Sequence, residues 1–285
     1  MALEGIATNT HEEGAHGRPL PQAMKSVLFH GILLTYLFAS LVFWLYLGLR
    51  RRWLFQVAHG LLWGGLSVQT VLLGYRLLSQ SSQFWGEAYS SMGLLSWAII
   101  VGYLIAWWRY RIDALGAFVV PLAFLAAVYS GVPTAAMEVL PLAFQHLWLV
   151  VHIFLAVLGY AALTLTFCAG VMYLIQERQL KSKHPGTLYH RLPSLNLLDD
   201  LNARALFLGF PLLTQGIITG SVWVKYVRGS YLHWSLKSLP LLLAWTIYAL
   251  LLGGRYTLGW QGKKAAFAAI AGFVVVLASY FVHIL

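Results

Sequence analysis

Residues 147–175 read LWLVVHIFLAVLGYAALTLTFCAGVMYLI, twenty-nine residues in a row without Asp, Glu, Lys or Arg and with a single histidine, His152. About 20 apolar residues in an α-helix cross a hydrocarbon core roughly 30 Å thick. The apolar positions are continuous rather than alternating, which excludes a strand of a membrane barrel. In lipid every backbone polar group has to be satisfied internally, so such a segment is a helix. Seven further apolar stretches follow the same logic, at about 26–49, 54–78, 88–108, 114–130, 203–227, 238–254 and 264–285. The fold class is therefore all-α, a polytopic membrane protein with about eight transmembrane helices. The polar breaks between spans are short except for one, from about 176 to 202.

Composition agrees. Of 285 residues 60% are hydrophobic and 10% charged, against about 25% charged in a soluble domain. So few charges cannot cover a water-exposed surface, which excludes a cytosolic enzyme, a disordered tail and a nucleic-acid module despite the net charge of +10. The one cysteine, Cys168, excludes a disulfide framework, a Cys-rich metal site and the paired cysteines of covalent haem attachment. Thirteen Lys and Arg fall in one set of predicted loops and six in the other. By the positive-inside tendency the richer side, with Arg50, Arg51, Arg52, Arg109, Arg111, Arg178, Arg191 and Arg255, is cytoplasmic, and both termini are outside. Residues 1–24 carry Glu4, Glu12, Glu13, His11 and His16 and lack the basic start of a cleaved signal peptide. They read as a flexible outer extension, and residues 25–285 as one transmembrane domain.

Ionisable groups inside a span are costly and mark function. His152 lies deepest in an apolar helix; His30, His146, His233 and His283 gather towards the same outer face, and His59 lies towards the opposite one. Imidazole is an axial ligand of haem iron, and two facing histidines make a six-coordinate site. The bland alternative is that interfacial histidines anchor helix ends. Trp223, Tyr226, Tyr231, Trp234 and Trp245 surround the outer loop that holds His233; flat aromatic rings suit a flat macrocycle, and they equally form an interfacial belt. Gly60 and Gly64, like Gly216 and Gly220, have the spacing that lets helices approach closely. Every Asp and Glu falls in or beside a predicted loop, so the paired intramembrane carboxylates of an ion-coupled transporter are missing.

The order of residues adds a resemblance. Leu197-Leu198-Asp199-Asp200-Leu201-Asn202-Ala203-Arg204, continuing through Gly209-Phe210 to Leu213-Thr214-Gln215-Gly216-Ile217-Ile218-Thr219-Gly220-Ser221-Val222-Trp223, is similar to the L-D-x-L-x-x-R…G-F-x-L-L-T-x-G-I-I-x-G-x-x-W run of CcsA-type proteins. Glu87-Ala88-Tyr89-Ser90-Ser91 with Trp97, the set Trp148, His152 and Tyr160, the set Trp245, Tyr248 and Arg255, and the turn Gly259-Trp260-Gln261-Gly262 fit the same pattern. Over about 200 residues the chain resembles the cytochrome c assembly family of haem-handling membrane proteins, which includes CcsA/ResC, CcmC, CcmF and HemX-like members. Two departures stand out. In place of an outer W-G-x-Y-W-x-W-D-P-K-E loop the chain has Val227-Arg228-Gly229-Ser230-Tyr231-Leu232-His233-Trp234-Ser235-Leu236-Lys237-Ser238, which keeps Gly229, Tyr231, Trp234 and Lys237. Gly253 stands where the family has a membrane-embedded histidine.

The resemblance implies a haem-handling protein of c-type cytochrome biogenesis, in the inner membrane of a bacterium, presenting haem b at the outer face to apocytochrome c together with a second membrane subunit. It would be a haem holder rather than an enzyme, since the cofactor supplies the chemistry. His152 is then an axial ligand, with His283 or His233 as the other, so that the metal ligands are His152 and His283. Trp223, Tyr231 and Trp234 form the platform for the macrocycle, and Arg228 pairs with its propionates. The alternative implied by the altered loop is a HemX-like scaffold or regulator of haem biosynthesis that does not transport haem. Haem, those protein partners and lipid are the expected contacts, and nucleic acid is not among them.

Overall fold

A computed structural model describes residues 21–79, 88–131, 147–182, 186, 189–228 and 239–284. Eight α-helices and no strand occur among them: α1 Gln22–Leu49, α2 Arg52–Ser79, α3 Ala88–Tyr110, α4 Gly116–Tyr129 behind a short 3-10 turn at Asp113–Leu115, α5 Leu147–Lys181, α6 Leu195–Arg228, α7 Leu239–Thr257 and α8 Lys263–Ile284. Six helical segments, in α1, α2, α3, α5, α6 and α7, are long and apolar enough to cross a membrane, and Asp113–Tyr129 is a shorter apolar helix. The 22 residues of α8 reach about 33 Å at 1.5 Å per residue, also the depth of a bilayer core.

Neighbours along the chain pack antiparallel. Tyr36 of α1 donates to Gln69 of α2, and Gln69 in turn donates to the Gly93 carbonyl of α3 at 3.0 Å. Ser96 of α3 donates to Ala123 of α4, Trp44 of α1 to Ala117 of α4, and Trp245 of α7 to Thr214 of α6. The ends of α1, α3, α5 and α7 and the starts of α2, α4, α6 and α8 therefore share one face. The arginines that the charge count groups together lie on it, and it is called the basic face below. Two cores result. One gathers buried residues of α1 to α5 and the start of α6, including Tyr36, Phe43 and Tyr103; the other joins α5 to α6, α7 and α8 around Leu163, Leu206, Leu213 and Tyr248.

The long polar break expected over 176–202 is much shorter in the structure. Helix α5 continues to Lys181 and α6 begins at Leu195, so Asp199, Asp200, Asn202 and Arg204 are helical. Their charges are matched rather than left to a loop. Asp200 pairs with Arg204 one turn on, at 2.9 Å. Asp199 takes Nη2 of Arg255 at 2.9 Å and the Gly262 N–H at 3.0 Å, while the same Nη2 reaches Oδ1 of Asn202 at 2.8 Å. Asn202 donates to the Thr166 carbonyl of α5 at 2.7 Å. One guanidinium thus ties α5, α6, α7 and the turn into α8.

Of the two glycine pairs, one makes the close contact that its spacing permits. A Cβ on Gly216 would lie 3.3 Å from Cα of Ala156, and one on Gly159 would lie 2.9 Å from the Leu213 nitrogen. Gly60 and Gly64 have nothing within 4 Å; their neighbour Gly65 faces the core instead, where a Cβ would meet Thr35 and Tyr36 at 2.6 Å.

Gly159→Ala should cost about 1–3 kcal/mol, the range for overpacking against atoms that cannot give way, whereas Gly60→Ala, with open space around it, should leave a detergent melting curve unchanged or slightly raised. Arg255→Ala leaves Asp199 facing a broken pair. With Arg255 7% and Asp199 20% exposed, the expected loss is about 3 kcal/mol, the lower end for a buried pair that loses one partner. Thermal unfolding of the purified variants reads both.

Candidate functional site

His152 sits in the second turn of α5, at the end of the helix remote from the basic face. Its ring lies against Gly220 of α6, where a Cβ would meet Cε1 at 2.8 Å. Any side chain at position 220 would have to displace the imidazole. Nδ1 is 2.9 Å from the Gly216 carbonyl and 3.2 Å from Oγ1 of Thr219. A carbonyl oxygen only accepts, so Nδ1 carries the proton and Nε2 keeps its lone pair. Nε2 has no hydrogen-bond partner among the described residues. Trp148, one turn earlier, donates from Nε1 to the Thr219 carbonyl at 3.0 Å, so the last turns of α6 are held on both sides of the histidine. An imidazole fixed through Nδ1 with Nε2 open is the arrangement used by metal-ligating histidines, whose orientation comes from the bond at the other nitrogen.

Helices α5 and α8 pack antiparallel, with Gly170 against Ala266 and Phe167 stacked on Phe273 at 4.5 Å. From the backbone contact of Gly170 with Ala266, the backbones at His152 and His283 lie about 27 and 26 Å along their helices in the same direction, by the helical rise. The two histidines are therefore level with each other. The side chain of His283 is not among those described. Between α3, α4, α5 and α8 lies an apolar cavity of about 360 Å³, with Leu95, Leu122, Tyr160, Thr164, Phe273 and Leu277 on its walls. It begins two turns below His152 on α5 and less than two turns below His283 on α8.

Trp223 and Arg228 lie on the last turns of α6, with side chains outside the described set. Tyr231, His233, Trp234 and His146 lie outside the described residues, as do His11 and His16. His30 is exposed, with Nδ1 bound to its own helix at Ser26. His59 is a core residue: it is 8% exposed and ringed by Phe55 at 4.1 Å, Trp107 at 4.7 Å, Phe43 at 5.5 Å and Tyr103 at 5.8 Å between centroids. Among the described residues no group of three or more His, Cys, Asp or Glu could hold a metal ion. A haem needs no such group, since the porphyrin supplies four ligands and the chain only axial ones. Gly216, Thr219 and Gly220 are the partners that reading His152 by itself does not reveal. The available signal is the small-residue face of α6 in register with the turn that carries the histidine.

The family model for cytochrome C assembly protein matches residues 85–285. The chain is 28% identical over 267 residues to cytochrome c biogenesis protein CcsA of Guillardia theta, covering 87% of this chain and 89% of that one. It is 31% identical over 257 residues to CcsA of Microcystis aeruginosa, covering 73% and 78%. It is 33% identical over 199 residues to CcsA of Chlamydomonas reinhardtii, where the alignment covers 67% of this chain and 55% of that protein.

Nitrogen NMR of histidine-labelled protein, assigned by difference with His152→Ala, should show a His152 ring protonated at Nδ1; a proton on Nε2 alone would refute the arrangement. The matched span reaches from before the start of α3 to the end of α8 and includes His152 with all of its partners, and the chain belongs to the cytochrome c assembly protein family.

Proposed function

We propose that this chain is a haem-handling membrane protein of c-type cytochrome biogenesis. It holds haem b at the face opposite the basic one and works with a second membrane subunit and apocytochrome c. The observation that carries this reading is the His152 ring, whose Nδ1 lies 2.9 Å from the Gly216 carbonyl and whose Nε2 has no hydrogen-bond partner among the described residues. His152 serves as one axial ligand, and His283, level with it on α8, as the other, with His233 the competing candidate. The apolar cavity that begins two turns below His152 would offer an apolar wall to the hydrocarbon body of a macrocycle, with Tyr129, Tyr160 and Thr164 its hydroxyl-bearing residues. Trp223, Tyr231 and Trp234 would complete the platform, and Arg228 would pair with the propionates. The haem vinyl groups and the client's cysteines supply the bond-forming chemistry, and this chain orients the macrocycle. The basic face is then cytoplasmic. The relatives come from algae as well as from a cyanobacterium, so a plastid membrane and a bacterial inner membrane fit the family equally.

A second reading rests on Arg228, Leu232, Ser235 and Leu236, which replace members of the tryptophan-rich loop, and on Gly253. On it the chain is a HemX-like scaffold that keeps the fold, binds a protein of haem biosynthesis and carries no haem.

The visible spectrum of the detergent-purified protein separates the two. Sharp low-spin bands on reduction, lost in His152→Ala and in His283→Ala, are the expected result. Gly220→Ala, which crowds the ring while leaving both ligands in the chain, should weaken or shift the same bands. A wild type that takes up no haem even from excess would end the haem-handling reading and leave the scaffold.

A further inference from the structure

The basic face contains a cavity of about 210 Å³ that the haem reading leaves unused, with Tyr46, Arg50, Arg111, Asp113 and Arg191 on its walls. It forms where the end of α1, the connection between α3 and α4, and the segment leading into α6 converge.

Three arginines and one aspartate thus line the cavity, an excess of two positive charges. Asp113 accepts from Nε1 of Trp107 at 3.0 Å and from the Tyr46 hydroxyl at 3.2 Å. None of the three arginines belongs to an ion pair among the described residues, where the pairs are Lys181–Glu177, Arg204–Asp200 and Arg255–Asp199. Arg111 lies over the Trp107 ring at 5.1 Å, and Arg191 donates from Nη1 to the Leu47 carbonyl. That carbonyl is one of the four that the end of α1 leaves without an intrahelical partner.

Two of the three arginines also occupy strained backbone. Arg50 and Arg111 have φ of 53° and 55°, the only non-glycine residues at positive φ among those described. Each closes a helix, Arg50 N–H to Tyr46 and Arg111 N–H to Trp107, both at 2.8 Å. Glycine is the ordinary residue at such an end because a side chain there meets its own backbone. Arginine at both positions spends stability to gather positive charge around one cavity, and strain of this kind collects at binding sites. The level in the membrane is marked by Trp44, Trp53 and Trp108, at 54%, 57% and 69% exposure, near the same helix ends. Exposed tryptophans of this kind sit at lipid headgroups.

We infer that this cavity is a binding site for a phosphate oxyanion, held by Arg50, Arg111 and Arg191. Charge-assisted guanidinium–phosphate bonds supply the affinity, and the headgroup of an anionic phospholipid is the source that the position in the membrane favours. A free phosphate compound has the same chemistry and is the other source. The site is independent of His152 and of haem.

Native mass spectrometry of the full-length protein in detergent tests this, with phosphatidylglycerol, phosphatidylcholine or inorganic pyrophosphate added. The wild type should retain phosphatidylglycerol about tenfold better than phosphatidylcholine, a ratio that the loss of one or two charge-assisted bonds accounts for. Arg50→Gly/Arg111→Gly should abolish the preference while melting no lower than the wild type, since it relieves two strained caps. Arg191→Gln, which leaves both caps intact, should reduce it separately. Arg52→Gln/Arg178→Gln removes the same charge from the same face outside the cavity and should leave the preference in place. Pyrophosphate held by the wild type and lost from the cavity variants, without a lipid preference, would assign the site to a soluble phosphate. An unchanged preference in the cavity variants, an equal loss in the control, or retention of neither ligand would overturn it.

Discussion

Close backbone contact between α5 and α6 is the constraint on which the rest of the molecule depends. Between helices in lipid there is no hydrophobic gain from contact, because the surrounding chains are as apolar as leucine; helices are held by packing and by hydrogen bonds across the seam. Here the seam runs through Gly159 against Leu213, Gly216 against Ala156 and Gly220 against His152, and it is closed at the basic end by Asn202 on the Thr166 carbonyl. The same approach that removes the side chains of α6 exposes its backbone to α5. That is why a carbonyl, Gly216, can serve as the acceptor for His152. Bulkier residues in this seam would move the helices apart and leave the histidine without the group that fixes its proton.

His59 and His152 show why a histidine in a span does not define a site. Each lies within a membrane-spanning helix, His59 buried and His152 half-buried. His59 is packed by four aromatic rings, one of them the Tyr103 whose hydroxyl is 3.4 Å from its Nε2; it fills space between α1, α2 and α3. His152 has one nitrogen committed to α6 and one without a hydrogen-bond partner among the described residues, with its ring against Gly220. What separates them is the kind of partner: a tyrosine hydroxyl can donate or accept and leaves the His59 tautomer open, whereas a carbonyl only accepts and fixes that of His152, a difference hydropathy cannot supply.

The number and places of the helices were legible in the sequence because span length is set by the bilayer and hardly by tertiary context. The ends of α5 and α6 were not. A hydropathy reading penalises Asp199 and Asp200 one at a time and places them in a loop. In the folded chain Asp200 and Arg204 neutralise each other across one turn, and Asp199 meets an arginine 56 residues further on. Pairing converts costly groups into tolerated ones, and pairing across helices leaves no local trace. The glycine spacing was ambiguous for the same reason, since Gly60 with Gly64 and Gly216 with Gly220 look alike in sequence while only the second pair faces a helix. His152 stood out by its depth, yet the acceptors that give it a defined tautomer lie 64 and 67 residues away.

Helices α1 and α2 precede the span matched by the family model, which begins at residue 85, but they are not an appendage. Tyr36 and Phe43 of α1 are fully buried, and Phe43 lies where a Cβ on Gly116 of α4 would stand at 2.6 Å. Gln69 of α2 is satisfied only by spanning from the Tyr36 hydroxyl to the Gly93 carbonyl. A buried amide with one partner missing costs more than the bond it would have made, so removing α1 would penalise α2 and α3 as well. The same pair carries Arg50 to the cavity that α3, α4 and the approach to α6 complete. The first two helices and the six that follow therefore share a core and a basic face, and neither set is complete without the other.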